Sequence, residues 1–80
     1  MDNVRFLDND IYFMEILDDV ILVNDNYCGL LIFDSNLTQI NKIPLFEDCT
    51  IYSSFKHNKE ILLYCPENFC LIYLSALSYY

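Results

Sequence analysis

Apolar residues along this chain come in short consecutive runs: "VILV" at 20–23, "LLIF" at 30–33, "ILLY" at 61–64 and "CLIYL" at 70–74. They are separated by turn formers, "DD" at 18–19, "NDN" at 24–26, "DSN" at 34–36, "HN" at 57–58 and "PEN" at 66–68. Ile, Val, Tyr and Phe suit a pleated surface, and Asp, Asn, Ser and Pro suit the bends between strands. The pattern predicts strands over 11–17, 20–24, 28–34 and 38–43, and again over 51–56, 60–65 and 69–75. No segment carries a helical period. A strand that is apolar at every position is buried on both faces. The links are too short for parallel crossovers, so each group is an antiparallel meander, and with no helix available the cover over each sheet is another sheet.

The two groups are copies. Residue n against residue n + 40 gives ten identities without a gap: Phe6/Phe46, Asp8/Asp48, Ile11/Ile51, Tyr12/Tyr52, Ile21/Ile61, Leu22/Leu62, Leu31/Leu71, Ile32/Ile72, Ser35/Ser75 and Leu37/Leu77. Composition alone would give about two or three, and a fixed internal period marks repeat architecture. The frame "F-x-D-x-x-I-Y…I-L…L-I-[FY]-x-S-x-L" resembles two consecutive β-propeller repeats of the WD40-like size class, without the Trp-Asp, Gly-His or kelch double-glycine signatures. That resemblance implies an all-β fold of two antiparallel four-stranded, blade-like meanders, each about 40 residues long and stacked face to face. It also implies a rigid binding platform and no catalytic residues. A small β-sandwich built from a duplicated meander is the alternative. Either way the chain is one domain of two repeats, 1–40 and 41–80. Residues 1–7 align with 41–47, and the last residues align with the start of the fourth strand, so the fourth strand of the second meander is only begun.

Composition points to a partner. The chain has 80 residues and is 55% hydrophobic with one glycine. A domain this small buries only roughly 60–65% of its unfolded surface, so some apolar surface is expected to be covered by another chain. A homo-oligomer or a subunit of a larger assembly is therefore expected. No apolar stretch is long enough to span a bilayer, and the acidic start "MDNVRFLDND" differs from the basic start of a signal peptide. The reading is a cytoplasmic protein whose four cysteines stay reduced. Residues 1–40 hold eight acids against Arg5 alone, a net charge of −7, whereas residues 41–80 carry −1. Such a surface repels nucleic acid and anionic membrane and favours a protein with a basic surface.

Candidate chemistry is sparse. His57, the one histidine, falls in the turn-like "KHNK", with no local nucleophile to activate. "CPENFC" lacks a second ligand pair for zinc, and Cys65 and Cys70 bracket a hairpin at a spacing that allows them to lie opposite each other, where a disulfide is conceivable. "DND" and "NDN" lack the spacing, glycine and closing glutamate of an EF-hand loop. No enzyme activity, cofactor or metal is expected. In a meander, the entry loop and the turn between the second and third strands share one end. That groups Asp8, Asp10, Asp25, Glu47, Asp48 and Glu67 into an acidic rim with no Lys or Arg in its loops, while Asp18, Asp19, Asp34, His57 and Lys59 take the other end. The expected function is a protein–protein interaction module that presents this rim. The alternative is an acidic inhibitor, an immunity protein or antitoxin that neutralises a basic toxin or nuclease.

Overall fold

Turn residues decide where each strand stops. In the computed structural model, which describes residues 3–76 and Tyr79, the first hairpin joins β1 (Met14–Leu17) to β2 (Val20–Asn24), and Leu17 faces Val20 across the two-residue turn. Forty residues on, β5 (Ser53–His57) joins β6 (Glu60–Cys65), and His57 faces Glu60. Asp18 (φ 50°) and Asn58 (φ 56°) enter these turns in the left-handed region, which Asp and Asn tolerate better than other side chains. His57 is thus the last residue of a strand, and the turn is Asn58–Lys59. The remaining strands are β3 (Gly29–Asp34), β4 (Gln39–Pro44) and β7 (Cys70–Leu74).

The fold is all-β, in two antiparallel meanders ordered β1-β2-β3-β4 (sheet A) and β5-β6-β7 (sheet B). Among the described residues the second meander has three strands, where four were expected. The positions equivalent to β4 begin at 79, and Leu77 and Ser78, which align with Leu37 and Thr38, lie outside the described residues. "PEN" forms one turn of 3-10 helix, Pro66–Asn68. Strands also start later than the apolar pattern suggests: 11–13 and 51–52 lie outside β1 and β5. Phe13 and Ile51 in those approach segments are nevertheless buried.

One core lies between the sheets. Phe13, Leu17, Leu22, Leu30 and Ile32 from sheet A meet Ile51, Ile61, Leu63, Cys65 and Leu74 from sheet B. A smaller cluster, Val23, Leu31 and Phe33, fills the other face of sheet A, where Leu7 packs on it and Arg5 lies 5.2 Å from the Phe33 ring centre. β3 is accordingly buried on both faces, as its unbroken apolar run predicts. At Gly29 a Cβ would collide with the Ile43 carbonyl oxygen, so β4 can close on β3 here only over a glycine.

The correspondence between the two sheets shifts by one residue in the last strand. Ile21 faces Phe33 in sheet A, whereas Ile61 faces Leu74 in sheet B. β1 and β2 thus map onto β5 and β6 at a spacing of 40, and β3 maps onto β7 at 41. The cause is β6, which runs one residue longer than β2 before its turn. Under this mapping Ile21, Val23, Leu31 and Phe33 correspond to Ile61, Leu63, Ile72 and Leu74. The outer face of sheet A is therefore equivalent to the inner face of sheet B, and the sheets stack head to tail.

Candidate functional site

Asn24 organises one end of the molecule. It closes β2 and is fully buried. Its Oδ1 accepts hydrogen bonds from the Tyr12 and Phe13 N–H groups at 2.9 and 3.1 Å, and its Nδ2 donates to the Asp10 and Asn26 carbonyls at 2.7 and 3.2 Å. Asn9 ties the same loops by donating to the Asn24 carbonyl at 2.7 Å. "NDN" is thus a buried clamp followed by a turn, where sequence suggested only solvated turn residues. The available signal was an amide, able to donate and accept at once, placed directly after a fully apolar strand.

Further bonds carry this end across to the second meander. Cys49 N–H donates to the Tyr27 carbonyl at 2.7 Å, and the Tyr12 hydroxyl donates to the Cys49 carbonyl at 3.1 Å. Asn68 Nδ2 donates to the Asp48 carbonyl at 3.1 Å. The loops that carry Asp8, Asp10, Asp25, Glu47, Asp48 and Glu67 are therefore bonded together at one end. Five of these six acids are exposed and Asp25 is half-buried. One cation does reach this end: Lys42 from β4 pairs with Asp25 at 3.2 Å. An inventory of loop residues missed it because the lysine sits in a strand. The other cations lie elsewhere, with Arg5 donating to the Leu37 carbonyl at 3.2 Å beside the β3–β4 turn, Lys56 in β5 and Lys59 in the β5–β6 turn.

The outer face of sheet B is bare. Phe55 (65% exposed), Tyr64 (40%), Leu71 (64%) and Tyr73 (59%) surround the half-buried Leu62. "ILLY" and "CLIYL" predicted burial on both faces, yet within this chain only the inward positions are covered. Phe69, 96% exposed, sits at the end of this sheet with φ 53°, a left-handed conformation unusual for an aromatic residue.

Where the sheets meet at their β1 and β5 edges, Glu15 accepts a hydrogen bond from Ser54 at 2.8 Å and pairs with Lys56 at 3.1 Å. Burial would raise the Glu15 pKa, but the hydrogen bonds and charge from Ser54 and Lys56 hold it below the usual carboxylate range. In the core, Cys65 lies opposite Cys70, as expected, and its Sγ is 3.7 Å from that of Cys49. All four cysteines are free. Burial, with Cys49 and Cys70 alongside, pushes the Cys65 thiol up to about 12, away from nucleophilic thiolate. Among the described residues, no three His, Cys, Asp or Glu side chains are arranged to hold a metal ion, and no helix is long and apolar enough to cross a membrane.

No family model matches this chain, and neither the curated proteins nor the solved structures compared with it include a match.

Proposed function

We propose that the chain is a non-enzymatic protein–protein interaction module that covers the outer face of sheet B with another polypeptide. The observation that carries this reading is the bare face itself: Phe55, Tyr64, Leu71 and Tyr73 form one contiguous apolar sheet surface around Leu62. Apolar patches of this kind are rimmed by polar residues at docking sites, and the acidic end beside this sheet supplies such a rim. Propeller-like blades present faces of this sort to neighbouring blades, which agrees with the resemblance of the repeat. Gel filtration of extracts from cells that produce the protein is the test. The chain is expected to elute well above its own 9.5 kDa. A folded Leu71→Lys, Tyr73→Glu variant is expected to fall to monomer size. Elution of the unaltered chain at monomer size defeats the proposal.

A second reading draws on the acidic end: an inhibitor of a basic toxin or nuclease, docked through Asp8, Asp10, Glu47, Asp48 and Glu67. Its support is that Asp25 alone among the six acids carries an ion pair with a described cation. It predicts an association rate with one cationic protein that falls steeply with salt, and weakening by Asp8→Asn with Asp10→Asn. A binding rate indifferent to both rejects it.

A further inference from the structure

We infer that the polypeptide covering sheet B is a second copy of this chain, bound through the outer face of that copy's sheet A. The inference rests on the interaction-module reading above and names its partner. Inside one chain, the inner face of sheet A already packs on the inner face of sheet B. By the 40- and 41-residue mapping, the first of those faces is equivalent to the bare outer face of sheet B, and the second to the outer face of sheet A. The contact made within the chain can thus be made again between chains. Such an interface is heterologous: two different faces meet, and each copy has one of each.

The surfaces support this copying. The outer face of sheet A holds an apolar groove of about 190 Å³ lined in part by Ile11, Met14, Ile21 and Phe33. Its β1 side is open, with Met14 60% and Ile16 58% exposed. The segment through Arg5 and Leu7 lies over the Phe33 side. Arg5 stands 40 residues before Leu45, which packs against the inner core.

The mapping also names one contact. Within the chain, Glu15 of sheet A touches Ser54 and Lys56 of sheet B. The equivalent of Glu15 on the bare face is Phe55, and the equivalents of Ser54 and Lys56 on the sheet A outer face are Met14 and Ile16. A polar edge contact inside the chain is therefore replaced between copies by three apolar residues. Each is more than half exposed in the single chain. Solvent exposure of all three is unfavourable in the monomer and is removed by stacking.

Sedimentation velocity over the micromolar range tests the inference with the full chain. Reversible self-association is expected. Phe55→Glu or Ile16→Lys alone is expected to weaken it by about tenfold or more, with far-UV dichroism unchanged because both sites are exposed. The double variant rebuilds between copies the ion pair that Glu15 and Lys56 make within one, and is expected to recover association to within about threefold of the original. A wild-type chain that stays monomeric, or a double variant as weak as the singles, overturns the inference. A photo-crosslinking residue at 55, introduced in cells that produce the protein, separates this failure from that of the module reading. Adducts to residues 14–16 of another copy, identified by mixing isotopically distinct chains, support the inference. Adducts to a different protein overturn it and leave the interaction module standing; no intermolecular adduct overturns both.

Discussion

Replacing Asn24 by alanine removes four side-chain hydrogen bonds from one fully buried position. The bond to Phe13 N–H lies in the buried interior, and an orphaned buried donor costs about 1–3 kcal/mol; the three part-buried bonds, whose partners water can reach, cost about 0.5–1 kcal/mol each. The expected loss is therefore about 2.5–6 kcal/mol. A chain of this length has a total stability of about 4–12 kcal/mol, so the variant should be close to unfolding. Urea titration followed by circular dichroism measures the loss, and hydrogen exchange at the Tyr12 and Phe13 amides locates it. Asn24→Asp is the informative companion. It keeps the one oxygen that accepts from the Tyr12 and Phe13 N–H groups but sets a second carboxylate oxygen against the Asp10 and Asn26 carbonyls, so its penalty should shrink as the pH falls and the acid can donate. A loss below about 1 kcal/mol for the alanine variant refutes the reasoning, because it would mean that water substitutes for the amide in what is described as a closed clamp.

Further expectations concern charge and strain. The Glu15–Lys56 pair, part-exposed on both sides, should show a coupling of about 0.5–1 kcal/mol in a double-mutant cycle with Glu15→Gln and Lys56→Met. Because the Glu15 pKa is lowered in the fold, that contribution is full above the ordinary glutamate range and is lost as the pH falls through the lowered value; a coupling that does not shrink on acidification while the chain stays folded contradicts it. Cys65 behaves in the opposite sense: its thiol is raised from 9.0 to about 12, so its contribution is full below pH 9.0 and is lost as the pH rises toward about 12. Urea midpoints that do not fall over that alkaline interval, or fall as steeply in Cys65→Ala, count against it. Phe69→Asn should raise stability by about 1 kcal/mol, since the ring is 96% exposed and its backbone is left-handed; a destabilised variant would show that the ring packs in a way its exposure denies.

The apolar runs and their turn residues made the strands, their antiparallel order and the two-sheet core legible, because those depend on local pattern. Strand edges were less legible: Phe13 and Ile51 are as apolar as strand residues yet lie outside β1 and β5, and at Phe13 the N–H is taken by the Asn24 side chain. Two-sided burial held for β3, where Leu31 and Phe33 lie under Leu7 and Arg5. It did not hold for β7, whose Leu71 and Tyr73 face solvent in the single chain. An apolar run records that both faces want cover and says nothing of which molecule provides it. Grouping the acidic loops followed from meander topology alone. The Lys42–Asp25 pair and the meeting of Cys49 with Cys65 depend on how strands and loops distant in sequence come together in space, which no local spacing encodes.

The extra residue in β6 has a bearing on how such a chain can change over generations. Leu31 and Ile32 share their letters with Leu71 and Ile72, and in both strands the leucine looks away from the core and the isoleucine into it, although the 40-residue mapping of β2 onto β6 has the two sheets turn opposite faces to the core. In a ribbon with strict alternation, one inserted residue would turn its polar side into the core and abolish folding. Here neighbouring positions are interchangeable greasy letters, so a slip of one step is survivable, and the same redundancy leaves a fold of this kind open to drift in register while its outline is preserved.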